Sequence, residues 1–180
     1  MSTISRRTVL ALLSAGIAHA QLEAATAAVL AWRQAGTAYV PVFFTAAEHD
    51  LLDVLTEMIL PETPRSPGAR AAKVADFVDL VVAHSTPETQ QAWRRELQAL
   101  DAEAQRMAGG PFAALPGAAR TRVLDDLSAR ERQPDSDAVR AFVRVKQATI
   151  DGYYSSEIGL RRELGYLGPQ MLAEFKGCDG

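Results

Sequence analysis

Residues 43–84 read FFTAAEHDLLDVLTEMILPETPRSPGARAAKVADFVDLVVAH, and this stretch decides the fold. Thr45 followed three places later by Glu48 is a capping box. The hydroxyl can accept from the backbone N–H of Glu48, and the carboxylate can reach back to the N–H of Thr45. Ala47, Leu51, Val54, Leu55, Met58 and Ile59 then recur on one helical face. Pro61 stops the helix, because a residue preceding proline is pushed out of the α region. Pro64, Pro67 and Gly68 set a stiff turn. The pattern predicts a second helix from near Ala69 that buries Val74, Phe77, Val78 and Val81. The unit is a helical hairpin with a proline corner.

Working outward, the same grammar repeats. Thr86 caps a helix that has Pro87 at its first position. Trp93, Leu97, Leu100, Ala104 and Met107 form its apolar stripe, and Gly109-Gly110-Pro111 ends it. Phe112 and Leu115 are predicted to plug the core from the connection. Pro116 starts a helix with Val123, Leu124 and Leu127 inward. Residues 130–134 form a charged loop, and Asp135-Ser136-Asp137 caps a last helix carrying Val139, Phe142, Val143, Ile150 and Tyr153. β-Branched residues rarely alternate with polar ones, so no sheet is expected. The prediction is all-α: an irregular single-domain bundle of about five or six helices after an N-terminal signal segment. The expected divisions are a signal over 1–20, a helical arm or linker over 21–42, and the domain over 43–180.

The N-terminus looks like an address. Arg6 and Arg7 directly precede a weakly apolar run from Val9 to Ala20 that closes on Ala18-His19-Ala20. Paired arginines before such a run fit a twin-arginine signal, and the ending fits an A-x-A cleavage site. About a dozen residues is too short to span a membrane. The plainer alternative is an amphipathic helix with two arginines by coincidence. Loss of residues 1–20 would leave 17 basic against 22 acidic residues, from 19 against 22 in the full chain. No basic stripe remains, so nucleic acid is not an expected partner.

No assembled catalytic constellation is visible. His19 falls in the signal. Glu48-His49-Asp50 is no metal pattern, since adjacent helical residues point apart, and His49 is expected to be a solvated helix residue. His84 closes a helix, where an imidazole suits the C-terminal dipole. There is no Cys-x-x-Cys-His for haem attachment and no G-x-G-x-x-G for a Rossmann FAD site. Asp151, Tyr153, Tyr154 and Glu157 are the best candidates for a small-molecule site. Adjacent tyrosines cannot both face one core, so one is expected inside and the other at an interface. Cys178, the single cysteine, stands near the chain end. It is either a free or buried thiol or an intermolecular bridge.

Two blocks carry a resemblance. The first runs F-T-x-x-E-x-x-x-L-x-x-L-x-x-x-I-L-P-E-T from Phe44, then Ser66-Pro67-Gly68-Ala69 and Val74-Ala75-Asp76-Phe77-Val78-Asp79. The second is Gly152-Tyr153-Tyr154-Ser155-Ser156-Glu157-Ile158-Gly159, then Glu163-Leu164-Gly165-Tyr166 and Glu174-Phe175-Lys176-Gly177-Cys178. In order and spacing they resemble the small subunit of membrane-associated gluconate 2-dehydrogenase, the subunit 3 family, over residues 43–178. The resemblance implies a chain with no cofactor, metal or catalytic residue of its own. Its partner would be a GMC-type flavoprotein large subunit holding FAD and oxidising a sugar, polyol or glucoside. Gluconate, glucose and the C3 hydroxyl of glucosides are all compatible substrates. Electrons would pass to a cytochrome c carrying haem c. The expected place is the periplasm, reached through the twin-arginine translocase, with membrane association through the complex. Tyr153, Tyr154, Glu157, Tyr166, Phe175 and Cys178 are the expected partner interface, and a disulfide from Cys178 to the flavoprotein is the sharper form of the thiol reading. An independent periplasmic protein-binding module remains the alternative.

Overall fold

The computed structural model describes residues 24, 27–32 and 39–166. In chain order these give a helical segment at 27–32, then α1 (Ala46–Ile59), α2 (Gly68–Ala71), α3 (Val74–Ala83) and α4 (Pro87–Ala108). A 3-10 turn (Phe112–Ala114), α5 (Gly117–Ala129), α6 (Asp137–Ser155) and a π-helical turn (Ile158–Glu163) follow. No strand occurs among the described residues. The chain is an all-α single domain. No helix among the described residues is long and apolar enough to cross a membrane.

Local chemistry sets most of the boundaries. Thr45 caps α1 with both halves of its capping box closed: the N–H of Glu48 donates to Thr45 Oγ1 at 3.3 Å, and the N–H of Thr45 donates to Glu48 Oε2 at 2.9 Å. Thr86 caps α4 with Pro87 in the first turn, and Ser136 caps α6. Gly109 closes α4 in the left-handed conformation, φ 79°, where a side chain would be strained. The proline corner is laced by Glu57, whose carboxylate accepts from the N–H of Glu62 at 3.0 Å and of Arg70 at 2.8 Å.

The expected second hairpin helix is two helices. Lys73 takes φ 55°, ψ 46° between α2 and α3. A left-handed lysine costs on the order of 1 kcal/mol or more and no local signal announces it. The break re-aims α3 into the centre of the molecule. There Val74, Ala75, Phe77, Val78, Leu80, Val81 and Val82 are all buried, so α3 is enclosed on nearly every side.

Around it α6 packs most extensively on α4 and also meets α1, α3, α5 and the π turn. The core includes Leu52, Leu55, Trp93, Leu97, Leu100, Val123, Leu127, Val139, Phe142 and Val145. Phe112 and Leu115 plug it as expected. Phe112 is held by its N–H donating to Asp101 Oδ1 at 2.7 Å, and Arg120 donates to the Phe112 carbonyl at 3.2 Å. Two expected core residues lie further out: Met107 and Ile150 are exposed. The inner faces of the two helices there are carried by Ala104, as expected, and by Val145 and Thr149. Between α4 and α6, the buried Glu96 receives both arms of the Arg144 guanidinium, at 2.7 and 3.0 Å. A fork of this kind satisfies a desolvated carboxylate and fixes the register of the two helices.

Candidate partner interface

Several polar side chains of the two sequence blocks hold segments to the helical body. Asp79 is the clearest case. It lies mid-helix in α3 with no exposed surface. Its Oδ2 accepts from Tyr39 Oη at 2.5 Å and from the N–H of Val42 at 2.6 Å. Its Oδ1 accepts from the N–H groups of Phe43 and Phe44 at 3.1 and 2.7 Å. Three successive backbone donors and a phenol thus enclose one carboxylate, a peptide nest filled by the chain's own anion. Burial, then the hydrogen bond to Asp79, raises the Tyr39 pKa and keeps the phenol protonated as a donor.

This clamp straps residues 39–44 across α3. Arg94 of α4 adds a second fastening: its Nη2 donates to the Phe43 carbonyl at 3.0 Å, and its guanidinium lies 4.3 Å from the Phe43 ring centre. With the backbone so held, Val40 and Val42 point outward, 75% and 64% exposed.

His49 corrects the expectation of a solvated residue. Only 17% of its side chain is exposed, and Nε2 lies 3.0 Å from Asp76 Oδ1 on α3. The reason is that α3 crosses α1 at its first turn, a tertiary contact that periodicity within α1 does not show. His84 behaves as expected: it caps α3, with Nδ1 2.8 Å from the Leu80 carbonyl.

The second block makes a separate staple. Tyr153 is fully buried, and its hydroxyl donates to Glu163 Oε2 at 2.7 Å while lying 2.8 Å from Ser66 Oγ in the proline corner. Tyr154, half-buried, donates to Glu163 Oε1 at 2.9 Å. The two rings meet edge to face, centres 5.1 Å apart at 87°. Burial, with the Glu163 carboxylate, pushes the Tyr153 phenol up to about 12. The two phenol donors, Tyr153 first, hold the Glu163 carboxyl below its ordinary value. Glu163 therefore ties the π turn to α6 and, through Tyr153, to the corner before α2. The adjacent tyrosines divide as expected only in part: Tyr153 is the core member and presents no surface, while Tyr154 is half-buried on the same carboxylate.

The remaining expected interface residues are dispersed. Glu157 is largely exposed and pairs with Arg161 at 3.4 Å. Tyr166 is 48% exposed, beside the exposed Leu164. Asp151 accepts from Gln147 at 3.1 Å and borders a groove of about 410 Å³ between α3 and α6. Phe77, Val81, Val82, Trp93 and Val143 give that groove an apolar lining. Arg140 and Arg144 also line it, each engaged with a carboxylate, Asp137 and Glu96 respectively. Among the described residues no group of three or more His, Cys, Asp or Glu is placed to hold a metal ion. Arg6, Arg7, Phe175 and Cys178 lie outside the described residues.

Asp79 and Glu163 stood in the resembling blocks with no role assigned to them. Each had a signal. Asp79 is a lone carboxylate inside Phe77-Val78-Asp79-Leu80-Val81-Val82, a run otherwise apolar. Glu163 stands one short segment after two tyrosines.

The family described as gluconate 2-dehydrogenase subunit 3 matches residues 46–169. The chain belongs to that family. The match spans every helix from α1 to the π turn, and so takes in Asp79, Tyr153 and Glu163. The family's name is that of a subunit, which places the chain with a gluconate 2-dehydrogenase type of complex. No curated protein and no solved structure matches the sequence. In this subunit 3 chain Asp76, Asp79, Tyr153, Tyr154 and Glu163 each hydrogen-bond within the helical body.

Proposed function

We propose that this chain is the non-catalytic small subunit of an exported FAD-dependent dehydrogenase of the GMC type, acting on a sugar, polyol or glucoside. In this reading it carries the twin-arginine signal, stabilises the flavoprotein and takes it across the membrane already folded. FAD belongs to the large subunit and haem c to a cytochrome acceptor. Membership of a family named for a dehydrogenase subunit carries the reading. The engagement of Asp79, Asp76, Tyr153, Tyr154 and Glu163 in structural staples supports it, because such groups are then committed to shape.

The test is export of the pair. The chain is co-expressed with a candidate GMC-type flavoprotein subunit, and FAD and dye-linked dehydrogenase activity are measured in the periplasmic fraction. Replacing Arg6 and Arg7 together by lysine is expected to leave both chains in the cytoplasm. Wild-type periplasmic activity in that double variant would overturn the co-export reading. Failure of the two chains to co-purify would overturn the subunit reading.

A further inference from the structure

His49 sits near the start of α1, turned toward α3 and the 39–44 strap. Its Nε2 faces Asp76 Oδ1 at 3.0 Å. Its ring lies 5.8 Å from the Tyr39 ring, tilted by 30°. Tyr39 in turn donates to Asp79, the carboxylate that also receives the N–H groups of Val42, Phe43 and Phe44. Asp76 and Asp79 are three residues apart and share one face of α3. Asp53, one turn along α1, adds a third carboxylate and is engaged by Arg70 of α2 at 2.8 Å. The donors around Asp79 are dipoles. A protonated His49 adds a full positive charge to this acidic group, beside the Tyr39 ring. Imidazole is also the side chain whose charge ordinarily changes between about pH 5 and 8.

We propose that His49 is a pH-sensitive latch on the strap. As imidazolium, held between Asp76 and Tyr39, it fastens residues 39–44 to α3; on losing its proton it lets the strap loosen while the helical body stays folded. The Asp76 hydrogen bond raises the imidazole pKa, burial opposes the rise, and the charges of Asp76, Asp79 and Asp53 add to it. A group more basic in the folded chain contributes stability in full below its unfolded value of about 6.5. That contribution fades as pH rises through the folded value. The strap is therefore tightest below about pH 6.5 and looser as pH rises through the raised folded value. What it controls is the presentation of Val40 and Val42 and the seat of Trp32, whose ring meets Tyr39 at 5.9 Å.

The measurement is amide hydrogen exchange of Val42, Phe43 and Phe44 in the full chain, corrected for the intrinsic pH dependence of exchange. Between about pH 5.5 and 8.5, protection of these amides is expected to fall by about threefold or more, as the stability carried by the imidazolium is lost. Amides in the middle of α4 keep constant protection. In His49→Gln, which retains an N–H donor and cannot titrate, the strap shows no pH step. An equal step in both proteins, or none in the wild type, overturns the latch. The wild type also decides by itself, should the variant fold poorly. Ring signals of His49 and Tyr39 followed by NMR share one midpoint above about 6.5 if the latch exists. A His49 midpoint at or below that value, or a Tyr39 ring that does not follow it, overturns it.

Discussion

At the scale of single residues, Asp79 shows what decides whether a charge is tolerated inside a helical protein. A desolvated carboxylate is costly, and hydrogen bonds to the charged form must offset the loss of water. Here four donors do so, and three of them are main-chain N–H groups that would otherwise need partners of their own. The interaction is reciprocal: the acid is satisfied, and an irregular segment acquires a fixed path. Removing the carboxylate strands the donors. Asp79→Ala is expected to destabilise the chain by on the order of 3–5 kcal/mol, the range for breaking a buried charged network from one side. Urea unfolding monitored by circular dichroism checks this, and an unchanged midpoint would mean that the strap contributes nothing to the fold. Arg144→Met beside Glu96 makes an instructive contrast, since the same principle applies but solvent reaches the arginine, which is 37% exposed.

At the scale of elements, the π turn after α6 depends on a glycine. Gly159 is buried, and its N–H donates to Ser156 Oγ at 3.1 Å. A methyl group there would land on the Tyr153 carbonyl oxygen, a backbone atom that cannot swing aside. Gly159→Ala is therefore expected to dislodge the turn, release Glu163 from Tyr153 and Tyr154, and return the Tyr153 phenol from about 12 toward the ordinary value near 10. Ultraviolet titration of tyrosinate reads this directly, against Gly117→Ala, where a methyl group meets nothing nearby. The comparison also shows what a sequence can disclose. Thr45 with Glu48, Thr86 with Pro87, Gly109 and Ser136 were legible because a cap is local chemistry, settled within four residues. The buried faces of α4 and α5 were legible from helical period. Lys73 was not, because its left-handed backbone is imposed by where α3 must go. Asp79 with Tyr39, forty positions apart, and Tyr153 with Ser66, eighty-seven apart, were not, since periodicity carries no information on which distant segments meet.

At the scale of the whole molecule, packing shows that residues before the strap belong to the folded body. Residues 27–32 are helical and joined to the body: Val29 is 1% exposed, Trp32 packs on the core, and Lys73 Nζ lies 6.0 Å from the Trp32 ring centre. The stretch expected as an arm or linker thus contributes side chains to the core before the strap begins. Full burial of a side chain such as valine contributes about 1.5–3 kcal/mol, and a partly buried tryptophan adds apolar area. Two truncations separate the roles. A chain beginning at Gln21, as cleavage after Ala20 would leave it, is expected to melt within a degree or two of the full chain. A chain beginning at Ala38 keeps Tyr39 and the Asp79 clamp but loses Val29 and Trp32. It is expected to lose on the order of 3 kcal/mol and several degrees of Tm. Differential scanning calorimetry of the two decides the matter. Equal melting would show that the body is complete from the strap onward, whereas a loss confined to the shorter chain places the start of the folded domain between Gln21 and Val29.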